Sequence, residues 1–289
     1  MHLAILLAGF SGLFGKLITL NETLLVFYRV LFASFILILI VISIRKKNKM
    51  DLSFSKPNFL LLANGALLSL HWVFFFGSIK ASTVSLGILC LSLASFFTAL
   101  LDPIINKTRL SINNLGLSAL SLVGIILIFG IDSQYREGII LGIISSILVS
   151  LFTLFNERLV KKHDTIKVTM LQMTGGTVGL GMIILVSTLL FGFQFEIPDS
   201  SNLFYLIILA IVCTVLMYTL LNRSLRTINS FTVNLNFNLE PIYGIILAFI
   251  FFNESENFNF VFWIGVALIF LSLTIQYIFS RPRKVLKSL

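Results

Sequence analysis

Long apolar runs separated by short polar segments recur along the whole chain. They lack the period-two alternation, in segments of about ten residues, of an outer-membrane β-barrel. Each run is instead close to the roughly 20 residues a helix needs to cross a hydrocarbon core about 30 Å thick. Ten such stretches are predicted, over residues 2–20, 23–44, 58–79, 81–101, 113–131, 138–157, 166–192, 202–222, 229–252 and 258–279. The expected fold is an all-α polytopic membrane protein. The first stretch reads as a retained helix rather than a signal peptide. It has almost no basic leader and no small-x-small site, and Gly9, Gly12, Gly15 and Lys16 interrupt it.

Composition sharpens this reading. Hydrophobic residues make up 57% of the chain and charged residues only 11%, with a mean hydropathy of +1.02. A soluble domain carries roughly 25% charged residues, so hydrocarbon must surround most of this protein. The connections leave no room for a separate soluble domain. Cys90 and Cys213 both lie inside apolar spans and imply neither a disulfide framework nor a metal cluster.

The net charge of +9 is spread over alternate loops. One set of loops and the basic tail at 280–289 carry 17 Lys and Arg, against Lys16, Lys80 and Arg136 in the other set, with Arg29 inside a span. The positive-inside rule places the rich set in the cytoplasm. Both termini are therefore expected there, which requires an even number of spans, and the location expected is an inner (plasma) membrane. A bias of this kind points to a lipid bilayer as partner, not to nucleic acid.

Two halves of the chain, 1–131 and 138–279, can be laid over one another. Gly77–Ser82 aligns with Arg223–Ile228, and Ala94-Ser95 faces Glu240-Pro241 at the same offset. Thr108-Arg109 likewise faces Glu254-Ser255, and a slightly smaller offset pairs Lys16 with Arg158. Five spans per half is an odd number, so the second half must enter from the opposite side. That predicts an inverted repeat with a substrate site near the midplane.

Several of these residues carry a resemblance. Leu70-His71-Trp72 followed by Phe74-Phe75-Phe76 and Ile79-Lys80 resembles the third-helix signature of the drug/metabolite transporter superfamily, EamA type. Phe27-Tyr28-Arg29, Leu239-Glu240-Pro241, Phe252-Asn253-Glu254 and Ile264-Gly265 resemble it in order and spacing. The resemblance implies ten helices as two inverted five-helix repeats, and export or exchange of amino acids or related metabolites. In its first half this chain has Ser95 and Thr108 where many members have Pro and Glu. Asp102-Pro103 is then the alternative place for a helix break.

Charges at bilayer depth cost at least about 2.5–3.5 kcal/mol and need a partner or a wet cavity. Glu240 follows Thr232 and Asn236 at i+4 spacing, and Pro241 removes a helical donor beside it. It reads either as a substrate- or proton-carrying carboxylate or as a structural hydrogen-bonding group. Arg29 can clamp a substrate carboxylate, snorkel outward, or pair permanently with Glu22 or a carbonyl. His71 suits proton coupling or a polar substrate group, or is a neutral histidine bonded to one neighbour with Trp72 in lipid or packing; the resemblance places the histidine in the central pocket. Tyr28, Gln172, Tyr218 and Asn222 are candidates for substrate contact or for interhelical hydrogen bonds. Gly175, Gly176, Gly179 and Gly181 read as a packing face.

No HExxH, GxSxG, P-loop or Cys/His cluster is present. No cofactor and no ATPase subunit are expected, and protons are a candidate coupling ion. The alternative function is a membrane-embedded enzyme acting on a lipid or prenyl substrate, which would need clustered acids or histidines at one depth.

Overall fold

The computed structural model describes residues 1–45, 55–129, 135–240 and 260–280, together with Tyr243, Leu247, Ile250 and Phe251. Pro241, Gly244, Glu254 and the basic tail, to which the sequence assigns roles, lie outside the described residues. All longer elements among the described residues are helices: α1 (His2–Leu17), α2 (Glu22–Arg45), α3 (Lys56–Lys80), α4 (Val84–Leu91), α5 (Leu93–Asn106) and α6 (Ile112–Phe129). They continue as α7 (Arg136–Val160), α8 (Thr165–Phe191), α9 (Ser200–Ala210), α10 (Met217–Leu225), α11 (Ser230–Phe237) and α12 (Phe260–Ser280). A π-helical turn, Ile211–Leu216, joins α9 to α10 without interrupting the rod.

Six of the described helical rods are long and apolar enough to cross a membrane. They are Glu22–Ser43, Lys56–Lys80, Val84–Asn106, Arg136–Val160, Thr165–Phe191 and Ser200–Leu225. The surface agrees, since Phe191, Leu189 and Ile104 are among many large apolar side chains left open to the surroundings. Small polar residues are turned inward. Ser146 donates to the Cys90 carbonyl at 2.6 Å and Ser150 to that of Ala94 at 2.8 Å, tying α7 to the α4–α5 rod. In hydrocarbon such bonds and close packing hold helices together, because lipid offers no hydrophobic drive between them.

The seam between α3 and α8 shows why the glycines are there. An ideal Cβ at Gly65 would lie 1.8 Å from the Gln172 carbonyl oxygen, and one at Gly175 2.0 Å from that of Leu62. The two backbones touch, and no larger residue fits. Gly176 meets Ser69 and Gly179 meets Ala66 along the same line, whereas Gly181 turns toward Phe27.

The expected break at Asp102-Pro103 is not where the first-half rod bends. Pro103 lies within α5, and Asp102 instead receives Asn106 Nδ2 at 2.5 Å and Thr108 Oγ1 at 3.0 Å, holding the helix end. The break is at Ser92, whose N–H bonds to Leu89 O at 3.0 Å, tightening the ladder from four residues to three. Its counterpart is at Asn238 and Leu239, which bond to Leu235 and Asn236 in the same tightened way. The two segments match residue for residue in the sequence alignment of the halves. Thr83 caps α4 through the Leu86 N–H, and the aligned Asn229 caps α11 through the Thr232 N–H. Each helix then runs eight residues and breaks.

Candidate functional site

Polar side chains converge where α1, α2, α3, the α4–α5 rod, α7, α10 and α11 meet. Trp72 is eight residues from the end of α3, and Arg29 seven residues into α2. At 1.5 Å per residue both lie about 10–12 Å below one end of the bundle. Here the protein encloses a cavity of about 60 Å³, room for roughly four water molecules.

The lining comes in pairs. His71 and Met217, Trp72 and Tyr218, Phe75 and Leu221, Leu91 and Phe237, and Ala94 and Glu240 occupy aligned positions of the two halves, and all face the cavity. Ser11 and Thr153, aligned by the pairing of Lys16 with Arg158, do the same. The Trp72 and Tyr218 rings meet edge to face with centroids 5.0 Å apart.

Arg29 is fully buried, which removes the snorkelling alternative. A side chain anchored from seven residues inside α2 finds oxygen partners closer than the bundle end. Its Nε donates to Thr214 Oγ1 at 2.7 Å, Nη1 to Ser11 Oγ at 3.2 Å and Nη2 to the Cys213 carbonyl at 2.9 Å. The last two acceptors sit on α1 and on the π-helical turn, where Thr214 bonds back to Leu209 O at 2.8 Å. The guanidinium carbon also lies 3.8 Å from the centre of the Trp72 ring, a cation–π contact. The arginine thus bridges the two halves, and the Cys213 carbonyl is a partner of the kind the sequence offered it.

Glu240 differs. It lines the cavity, is buried, and among the described residues has no hydrogen-bond partner. His71 Nδ1 lies 2.9 Å from the Ser145 carbonyl, so it carries the hydrogen and leaves Nε2 as the acceptor of a neutral ring. Ser145 Oγ closes the contact, 2.8 Å from Nδ1 and donating to His71 O at 3.1 Å.

Four sequence candidates, Tyr28, Gln172, Asn222 and Asn236, lie elsewhere. Tyr28 donates to the Glu196 carbonyl at 3.0 Å within an aromatic group with Phe27, Phe32 and Phe195. Gln172 belongs to a closed ring of amides: it donates to Asn156 at 2.8 Å, Asn156 donates to Asn222 at 2.7 Å, and Asn222 donates back to Gln172 at 3.0 Å. Asn236 is bonded to its own helix at Thr232 O, 2.7 Å away. Asn234 faces the cavity in its place, held by Thr98 Oγ1 at 2.7 Å. The tight turn at 238–239 advances each residue by about 120° instead of 100°, so the i+4 stripe from Asn236 does not carry through to Glu240. Ser11, Phe75, Phe152, Asn234 and Phe237 are lining residues the sequence reading missed. Carrying the candidate positions of each half onto the other would have found Ala94, from Glu240, and Met217, from His71.

The chain matches the model of the EamA-like transporter family twice, over residues 1–130 and 136–278. It is 26% identical over 222 residues to the uncharacterized transporter YxxF of Bacillus subtilis (strain 168), covering 75% of this chain and 69% of that protein. A crystal structure at 15% identity shares the fold with a TM-score of 0.71, over 96% of this chain and 95% of the other. With family matches spanning both halves and helices made to cross a bilayer, this multi-pass membrane protein belongs to the EamA-like transporter family.

Proposed function

We propose that this chain is a ten-helix secondary transporter, built as two inverted five-helix repeats, that exports or exchanges a small amine-bearing metabolite such as an amino acid across the inner membrane. The observation that carries the reading is Glu240, an acid without a hydrogen-bond partner among the described residues, in a cavity lined by aligned positions of both halves. An odd number of spans per half supports opposite orientations and a site on the axis between them. The partition of basic loops supports cytoplasmic termini.

The cavity's chemistry favours an ammonium. Glu240 and the Nε2 of His71 are acceptors, and Arg29, the cation among the described lining residues, is already held by three oxygens and an indole face. Trp72, Phe75, Phe152 and Phe237 supply an apolar wall for the rest of the substrate. About 60 Å³ is small for an amino acid, so on this reading the site widens during transport. The end of the bundle near Thr19 is closed by Thr19 N–H donating to Asn202 Oδ1 at 2.9 Å and Asn202 donating to Thr19 Oγ1 at 3.0 Å.

Counterflow in proteoliposomes loaded with labelled amino acids and simple amines tests the reading. Glu240→Gln is expected to lower flux at least tenfold and to remove its pH dependence, with thermal stability kept; His71→Ala is expected to lower flux less. Parental flux in Glu240→Gln would overturn the assignment.

A further inference from the structure

A second, larger cavity of about 500 Å³ lies between the first half of α3 and the last turns of α7, away from the central site. Its walls are Leu60, Ala63, Leu67, Phe155 and Leu159, and Leu60 and Phe155 are substantially open to the surroundings. It therefore faces lipid. At the basic end of the bundle Arg158, in the last turn of α7, and Lys162, in the turn that follows it, form its rim. Among the described residues neither is in an ion pair: Arg158 donates to the Ile105 carbonyl at 2.5 Å, and the neighbouring Glu157 is taken by Lys161 and by the Ser230 N–H. Deeper in the groove stands Asn64, 5% exposed, whose Nδ2 reaches the Phe152 carbonyl at 3.5 Å and whose shielded Oδ1 has no hydrogen-bond partner among the described residues.

We infer that this groove is a binding site for an anionic glycerophospholipid. Two cations at the bundle end match one phosphate, with N–H groups of Arg158 beyond the one spent on Ile105. The apolar walls match an acyl chain running toward the middle of the bilayer. A groove without cations would take any lipid, and cations without a groove would attract only a diffuse counter-charge. Both elements are present, one turn apart. The lipid would lie against α3 and α7, which also carry His71, Trp72, Phe152 and Thr153 of the central cavity.

The test is the melting temperature of the full chain in detergent micelles with added phosphatidylglycerol or phosphatidylcholine, and separately with inorganic phosphate. Phosphatidylglycerol is expected to raise it by about 3 °C or more and phosphatidylcholine by less than 1 °C. Lys162→Gln, an exposed change that should not disturb folding, should remove at least half of the shift, and Arg158→Gln with Lys162→Gln nearly all of it. Ala63→Phe, which fills the groove and keeps both cations, should also abolish it. Equal shifts with the two lipids, a shift retained in the double variant, or equal stabilisation by inorganic phosphate would overturn the proposal.

Discussion

The amide ring of Asn156, Gln172 and Asn222 and the central cavity at Glu240 are both polar, both buried and both inside helices of membrane-spanning length. They differ in saturation. In the ring every amide oxygen accepts one hydrogen bond and every amide nitrogen donates at least one, with a further one from Asn222 to Thr169 Oγ1 at 2.9 Å, so each of the three side chains is partnered on both sides. In the cavity Glu240 has space beside it and no partner among the described residues. Depth and polarity alone therefore do not mark a transport site; unspent hydrogen-bonding capacity beside open volume does.

The comparison can be broken first at the seam that supports the ring. Gly175→Leu would drive a side chain into the Leu62 carbonyl, and little or no folded protein is expected by fluorescence-detected size-exclusion chromatography. A normal monodisperse yield would show that the two backbones are not in contact. Next comes the ring itself. Gln172→Leu removes two interhelical bonds, worth about 0.6–1.7 kcal/mol each in membranes, so the melting temperature should fall by about 5 °C. Flux per folded molecule should stay near parental, the opposite of the pattern expected for Glu240→Gln. A Gln172→Leu protein that keeps its stability but loses transport would move the ring into the site. The smallest effect is expected for Tyr28→Phe, which loses a single bond to the Glu196 carbonyl, about 0.5–1.5 kcal/mol. A large loss of flux there would extend the functional region to that end of the bundle.

Much of the fold was legible in the sequence because hydrocarbon imposes a simple rule on length and polarity. The predicted stretches 58–79 and 166–192 differ by only one or two residues at each end from α3 and α8. The break at Ser92 was not legible, since serine keeps its N–H and has no intrinsic reason to interrupt a helix; tertiary packing decides it. Arg29 was placed inside a span, as α2 has it, but its partners, Ser11 and the π-helical turn, come from distant segments that periodicity does not bring together. The phase of α11 was wrong for the same kind of reason. An unbroken 3.6-residue period puts Asn236 with Glu240, and the tightened turn between them substitutes Asn234.

The two breaks differ in backbone chemistry. Ser92 keeps its N–H, so an unbroken ladder from α4 into α5 would lack no donor there. Proline at position 241 has no N–H, so the sequence withholds the donor that the carbonyl of Phe237, four residues earlier, would take in an unbroken helix. Two halves that align residue for residue at their breaks are thus alike in geometry and unequal in backbone donors.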